Sequence, residues 1–484
     1  MMLDGSIQNP GLFRPPAPAP RAKPLSLIAL LGAVKHNPLE VWTKEHFENA
    51  IVTSRVPFFQ ATVVSHPRAV QRILLDNVGN YRRADLQRRI LSAGLSDGLL
   101  TAEGEQWRVQ RHAIAPMLAR KAVQNFVPAM MEVAERLVAR WLRHPDGDIL
   151  DVAAEVTQVT LEVLERTIFS DGLKRDPAEF RTAMRGYFDA IGRLDPADVL
   201  GLPGFVPRLS RWRARPTLRF FDAAVDDIIA HRRRLLAETP DAVPRDILTL
   251  LLEAHDPQSG RGLSEAELRG NIITLIAAGH ETTANALAWS LFLLSQSEEW
   301  RERVAAEADR EFGGDIDGLA DRLVETRAVI EEALRLYPPI VATSRVAIEP
   351  DELAGTPVRA GAMVVVAPYV LHRHRLLWER PDIFDPHRFL GEARREIDRY
   401  AYLPFGAGPR ICVGAAFALQ EATLVLSALV RNFELALAPG FNVEPLLRIT
   451  LRPKGGLAMI VRRRKAPRRA GRQERVSEMA RPSA

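Results

Sequence analysis

Cysteine is nearly absent from the 484-residue chain: Cys412 stands alone. That excludes an intramolecular disulfide and any cysteine-rich zinc or iron–sulfur site, and it suits a reducing compartment, the cytoplasm. Aromatic residues are few, at 7%, but 47% apolar and 26% charged residues make an ordinary globular composition, so a wholly disordered or collagen-like chain is excluded as well. Long hydrophobic runs are missing. The best N-terminal candidate, residues 25–34, follows a proline-rich stretch at 10–24 and is too short to span a bilayer. Lys35-His36-Asn37-Pro38 stands where a secretory signal would carry small residues. The run is therefore expected to form a first helix packed on the domain. Strong charge imbalance is also lacking from most of the chain. The net charge is +5, yet residues 461–484 hold nine Lys and Arg against Glu474 and Glu478, a surplus of +7 that leaves −2 for the rest. The basic character belongs to an appendage, and nucleic acid is not an expected partner.

What is present is mostly helical pattern. Apolar residues recur at three- and four-residue spacing over 127–142, 149–169 and 217–236. Strand-like runs are few: 58–64, 358–366 after the turn Ala354-Gly355-Thr356-Pro357, 449–451 and 457–461. No period of 20 to 50 residues repeats. The expected fold class is mainly α with a small β component. Length alone would suggest about three domains, but the pattern favours one domain over 25–460, between a disordered arm at 1–24 and a disordered basic tail at 461–484. Two irregular stretches, 82–106 and 170–216, are long enough to be functional loops or lids.

Ser264-Glu-Ala-Glu267 forms a capping box, and the helical pattern behind it runs without proline to about Ser295. Its middle reads Ala277-Ala-Gly-His-Glu-Thr-Thr283, three small residues followed by an acid and two hydroxyls. Such a helix is expected to be central and buried, with a site on it. His280-Glu281 does not continue into a zinc motif, because Ala284 stands where the second histidine would. Taken alone, the patch is equally a kink site whose threonines bond back to carbonyls one turn earlier.

The lone cysteine lies in Phe405-Gly-Ala-Gly-Pro-Arg-Ile-Cys-Val-Gly414, too rich in glycine and proline for a helix, and a helical pattern follows from Ala415. At that junction Cys412 would face free backbone N–H groups and the positive helix end, both of which favour thiolate. A metal held by one cysteine must take its other ligands elsewhere, as haem iron does from its porphyrin.

This segment resembles the haem-ligand signature of the cytochrome P450 haem-thiolate monooxygenases, Phe-Gly-x-Gly-x-Arg-x-Cys-x-Gly, with every fixed position present. The resemblance covers about residues 34–461 and is that of a soluble bacterial-type member. It implies a P450-type fold with a long central helix over haem b, Cys412 as the metal ligand, and Phe405 and Gly414 in the cofactor loop. Ala278-Gly-His-Glu-Thr-Thr283 is similar to the oxygen-activation motif, with Thr282 as the catalytic hydroxyl and Glu281 as its acidic neighbour. Glu332 and Arg335 resemble the Glu-x-x-Arg pair, completed by Arg388 into a buried structural triad behind the cysteine loop. Trp107, Arg111, Arg345 and Arg410 match positions that bind the haem propionates. His112, His372 and His374 match no ligand need and are read as structural or exposed.

The implied activity is insertion of one oxygen atom from dioxygen into an apolar small molecule, fatty-acid- or terpenoid-like. Arg410 before the cysteine is similar to the branch shared by fatty-acid hydroxylases and membrane-bound members. No anchor and no flavin domain accompany it here. The implied partners are then a ferredoxin or flavodoxin with its NAD(P)H-dependent reductase, and the protein is expected to be a cytoplasmic monomer without a transmembrane segment. The alternatives are a haem-thiolate peroxygenase or rearrangement enzyme, and a non-enzymatic haem sensor.

Overall fold

The central helix, Glu265–Ser295, is the longest element among the described residues, and its start is fixed chemically. Ser264 Oγ accepts the Glu267 N–H at 3.3 Å while Glu267 Oε2 accepts the Ser264 N–H at 2.9 Å, satisfying two of the donors that a helix start leaves free. Apolar residues occupy most of its faces, and Ile272, Leu287, Trp289 and Leu293 are fully buried. A helix of that pattern has to be surrounded. It packs most extensively on helix Val152–Leu164, and also on Ala415–Asn432 and Val324–Leu336. Gly279 permits the first of these contacts, since a Cβ there would meet Leu164 Cδ2 at 3.1 Å.

This computed structural model describes residues 13–56, 59–84, 97–170 and 209–465. Among the described residues twelve strands accompany the helices: β1 Ile51–Val56, β2 Phe59–Val64, β3 Tyr81–Arg83, β4 Asp148–Asp151, β5 Thr343–Ala347, β6 Asp351–Leu353, β7 Thr356–Val358, β8 Met363–Val366, β9 Phe433–Leu437, β10 Pro445–Leu447, β11 Leu451–Pro453 and β12 Ala458–Arg463. One sheet runs β1-β2-β8-β5-β3, a second β4-β12-β9, and β6-β7 and β10-β11 are separate hairpins. The fold is mainly α with a smaller β component, in agreement with the sequence pattern. No helix among the described residues is long and apolar enough to cross a membrane.

Several boundaries differ from expectation. Residues 149–151 are not helical, because β4 pairs with β12 (Ile149 opposite Ile460). The run 358–366 is broken into β7 and β8, which join different sheets. Helix Leu209–Glu238 begins before Pro216 and carries that proline inside it, so the irregular stretch expected at 170–216 ends earlier; residues 171–208 lie outside the described residues. The stretch 82–106 contains the end of β3 and the start of helix Gly104–Ile114, with residues 85–96 outside the description.

Both expected domain edges also move outward. From Phe13 on, the N-terminal arm is ordered against the domain: Phe13 meets Phe292 edge-on at 5.8 Å, Tyr337 Oη donates to the Pro16 carbonyl at 2.8 Å, and Arg14 pairs with Asp382 at 3.2 Å. At the other end β12 continues to Arg463, Val461 is buried, and Arg464 reaches Asp309 at 2.7 Å. An edge at residue 460 would cut through a paired strand. The remainder of the expected tail, residues 466–484, lies outside the described residues.

Candidate active site

Cys412 is positioned by a loop that only glycine allows. Gly406 and Gly408 both hold positive φ (73° and 72°), and a Cβ on Gly408 would fall 1.8 Å from the Leu74 carbonyl oxygen. Such a conformation and such an approach leave no room for a side chain. The Cys412 N–H donates to the Phe405 carbonyl at 2.9 Å. Gly414, whose N–H is directed at the sulfur, caps helix Ala415–Asn432. Cys412 lies deep in the fold, yet its side chain is open to solvent-sized space. Burial pushes its thiol up, and the Gly414 N–H and the Arg111 charge pull the other way without overcoming it. The sequence expectation that the helix start favours thiolate is therefore outweighed by burial. A bound metal cation would supply the missing stabilisation. Among the described residues no group of three or more His, Cys, Asp or Glu side chains could hold a metal ion, so a metal on Cys412 must arrive with its own ligand frame.

Beside the cysteine lies a surplus of positive charge. Arg83 on β3 stands directly opposite Arg345 on β5 in the antiparallel register, a like-charge pairing that destabilises a sheet. Arg410 stacks over the Trp107 ring at 4.4 Å from its centroid and donates to the Ala102 carbonyl at 3.1 Å. Arg345 donates to Thr343 Oγ1 at 2.8 Å and to the Ser344 carbonyl at 3.0 Å, and Arg83 donates to the Leu100 carbonyl. Burial, and then the Arg83 charge, pull Arg345 and Arg410 both down to about 10. Arg111, one helical turn after Trp107, is lowered by burial. Among the described residues, the carboxylate facing this group is Glu103, which pairs with Arg410 and lies 3.7 Å from Arg83. Among those residues, one carboxylate against three converging guanidiniums leaves two charges uncompensated, which is the complement of a ligand carrying two carboxylates. Haem b carries two propionates, so the residues present fit it. Arg83 is the member that sequence reasoning missed: it sits on a three-residue strand at the start of a stretch read as a loop, and no local motif marks it.

Behind the cysteine loop is a contrasting network. Glu332 and Arg335 on helix Val324–Leu336 are both fully buried and joined twice, Nε to Oε2 at 2.6 Å and Nη2 to Oε1 at 2.7 Å. The other three Arg335 N–H groups go to the carbonyls of His372 (2.8 Å), Pro381 (2.7 Å) and Ile383 (2.9 Å). Glu332 Oε1 also accepts the Asp385 N–H at 2.9 Å. Arg388 completes the group loosely, with Nε 3.8 Å from Glu332 and Nη2 donating to the Arg380 carbonyl. His372 is buried and accepts the Leu403 N–H through Nε2 at 2.8 Å, which ties this network to the chain entering the cysteine loop. His374 is buried, and His112 lies 3.3 Å from Asp256 at the surface of its helix.

On the central helix, Ala277, Ala278, Gly279, Glu281 and Thr282 remain accessible between buried Ile276, His280 and Thr283. The helix is thus opened on one side at its small residues. Thr282 Oγ1 donates back to the Ala278 carbonyl at 2.7 Å. Glu281 points elsewhere: its Oε1 accepts from Thr450 Oγ1 at 2.6 Å, with Arg452 Nη1 at 3.8 Å. The acid and the hydroxyl, adjacent in sequence, take different partners. Thr450 and Arg452 were not legible as site residues, since they lie about 170 positions away in the β10–β11 hairpin.

Comparison with known proteins gives a consistent picture. A family model described as Cytochrome P450 matches residues 16–459. Cyclooctatin synthase of Streptomyces melanosporofaciens is 32% identical over 446 residues, covering 91% of this chain and 94% of that protein. Cyclooctat-9-en-7-ol 5-monooxygenase of the same organism is 32% identical over 424 residues, covering 85% and 89%. The crystal structure of the cytochrome P450DA heme domain superposes with a TM-score of 0.78 at 24% identity, covering 93% of this chain and 98% of that one.

Proposed function

The chain belongs to the cytochrome P450 family, monooxygenases that carry haem b, and from that premise we propose that it hydroxylates an apolar, terpenoid-like small molecule with electrons passed from NAD(P)H through a separate ferredoxin or flavodoxin. The observation that carries the assignment of the site is the pairing of an open Cys412 with a guanidinium cluster two charges in surplus. Cys412 Sγ would bind the haem iron, Phe405 and Gly414 would shape the cysteine loop, and Arg83, Arg345, Arg410 and Trp107 would receive the propionates with Arg111. The haem, when bound, supplies the chemistry that activates dioxygen and transfers one oxygen atom to a C–H bond.

The protein's own residues govern placement and protons. Ala277 and Ala278 give a small, accessible apolar stretch one turn before Glu281 and Thr282. Thr282 Oγ1 would hold a proton at the reaction centre once it turns from the Ala278 carbonyl, and Glu281 would supply it. Glu332, Arg335 and Arg388 touch no substrate and would hold the floor of the cysteine loop. A terpenoid-like substrate is favoured over a fatty acid by the relatives, one of which is named for an alkenol.

The test is reconstitution with a ferredoxin, its reductase and NADPH. Sclareol, a cyclic terpene alcohol, and lauric acid are each titrated against the ferric haem spectrum and then turned over. The reading predicts a spectral shift and a hydroxylated product with sclareol. Product formed with peroxide but not with NADPH would replace it with the peroxygenase reading.

A further inference from the structure

Glu281, Asn285 and Trp289 follow one another at four-residue spacing on the central helix, so they share one face. All three bond to two consecutive residues of the β10–β11 hairpin. Glu281 Oε1 accepts from Thr450 Oγ1 at 2.6 Å, Asn285 Nδ2 donates to Thr450 Oγ1 at 3.0 Å, and Trp289 Nε1 donates to the Leu451 carbonyl at 3.2 Å. Thr450 is buried and its hydroxyl has a single proton. The Thr450 hydroxyl donates that proton to Glu281 Oε1, so Asn285 must present its NH₂ group to the hydroxyl. The chain of bonds therefore has one direction, from Asn285 through Thr450 to Glu281. Arg452, two residues further along the same hairpin, adds its charge at 3.8 Å.

We propose that Thr450, oriented by Asn285 and assisted by Arg452, is the positioning residue for the Glu281 carboxylate, so that the hairpin and not the helix alone decides where the acid of the site sits. This inference rests on the role proposed for Glu281. Thr450 touches no reacting group; it acts through Glu281, holding the carboxylate away from Thr282 until a proton is to be passed.

The experiment compares haem-loaded wild type, Thr450→Val and Thr450→Ser by crystal structure, by the sclareol-induced shift of the ferric spectrum, and by peroxide released per product formed with NADPH, a ferredoxin and its reductase. Valine keeps the shape of threonine and removes the donor; serine keeps the donor. The expected result is that the Glu281 carboxylate leaves the hairpin in Thr450→Val alone, that peroxide per product rises about tenfold there, in line with loss of one bond to a charged group, and that Thr450→Ser and the sclareol shift stay as in wild type. A carboxylate that remains in place in Thr450→Val overturns the inference, as does unchanged peroxide release or an equal defect in Thr450→Ser. If wild type itself does not turn over with NADPH, the proposed function falls, and the carboxylate position in the three structures still decides the positioning claim.

Discussion

Two arginine clusters lie on either side of the cysteine loop, and they are built in opposite ways. Around Arg335 every N–H has a fixed acceptor, and the opposing carboxylate is equally buried. Around Arg345 and Arg410, three guanidiniums converge on one carboxylate, and two of them face each other across a sheet. The first cluster is complete as it stands. The second is costly as it stands, because burial opposes each charge and the charges oppose one another. A closed ionic network contributes to the fold; the open one is proposed to take its counter-charge from the haem propionates. The two should therefore respond to substitution with opposite sign.

The largest effect is expected at the closed cluster. Arg335→Ala leaves a buried carboxylate and three carbonyls without their donor, at a cost of about 3–5 kcal/mol against a typical total of about 5–15. Little folded haem protein should accumulate, which soluble yield and haem content will measure. Normal haem incorporation in that variant would erase the distinction between the clusters.

At the open cluster, Arg345→Gln should leave the thermal midpoint of the haem-free protein unchanged or raised, because a like-charge contact with Arg83 is relieved. Haem should leave the variant about tenfold faster, consistent with loss of a charge-assisted bond of about 1.5–3 kcal/mol. Transfer of haem to apomyoglobin reads the rate. A haem-free protein destabilised as severely as Arg335→Ala would show that both clusters serve the fold.

The smallest effect concerns pH. Burial, and then the Arg335 and Arg373 charges, push His372 down to about 3. Its folded value lies below its unfolded one, so the unfolded chain binds the extra proton between the two. The contribution of His372 is thus complete above about pH 6.5 and is lost as pH falls toward 3. His372→Gln retains an acceptor but cannot titrate, and its thermal midpoint should decline less steeply than wild type between pH 6.5 and 4.5. Parallel slopes would remove His372 from the network that ties the closed cluster to the cysteine loop.

Local chemistry was legible in the sequence, and pairing across the chain was not. The cysteine loop could be read because its glycines answer to positive φ and to the close approach of Leu74, and both leave a mark at fixed spacing. The central helix could be read because a capping box and a long periodic run define it. Arg83 could not, because β3 is three residues long and acquires its meaning only from the register with β5. Residues 149–151 were missed because their partner strand, β12, lies far away in the sequence. Glu281 was singled out for its chemistry, but its partner is a threonine in a hairpin, and nothing in the helix predicts which way the carboxylate turns.

The account stands on Cys412 as a haem ligand. Its direct test is the absorption spectrum of the reduced, carbon monoxide-treated protein, compared between wild type and Cys412→Ala. Wild type should bind one haem and show the strongly red-shifted band that an axial thiolate produces, and the variant should lose that band. Because the chain contains no second cysteine, a thiolate-type band that survives in Cys412→Ala, or one that never forms in wild type, would contradict it.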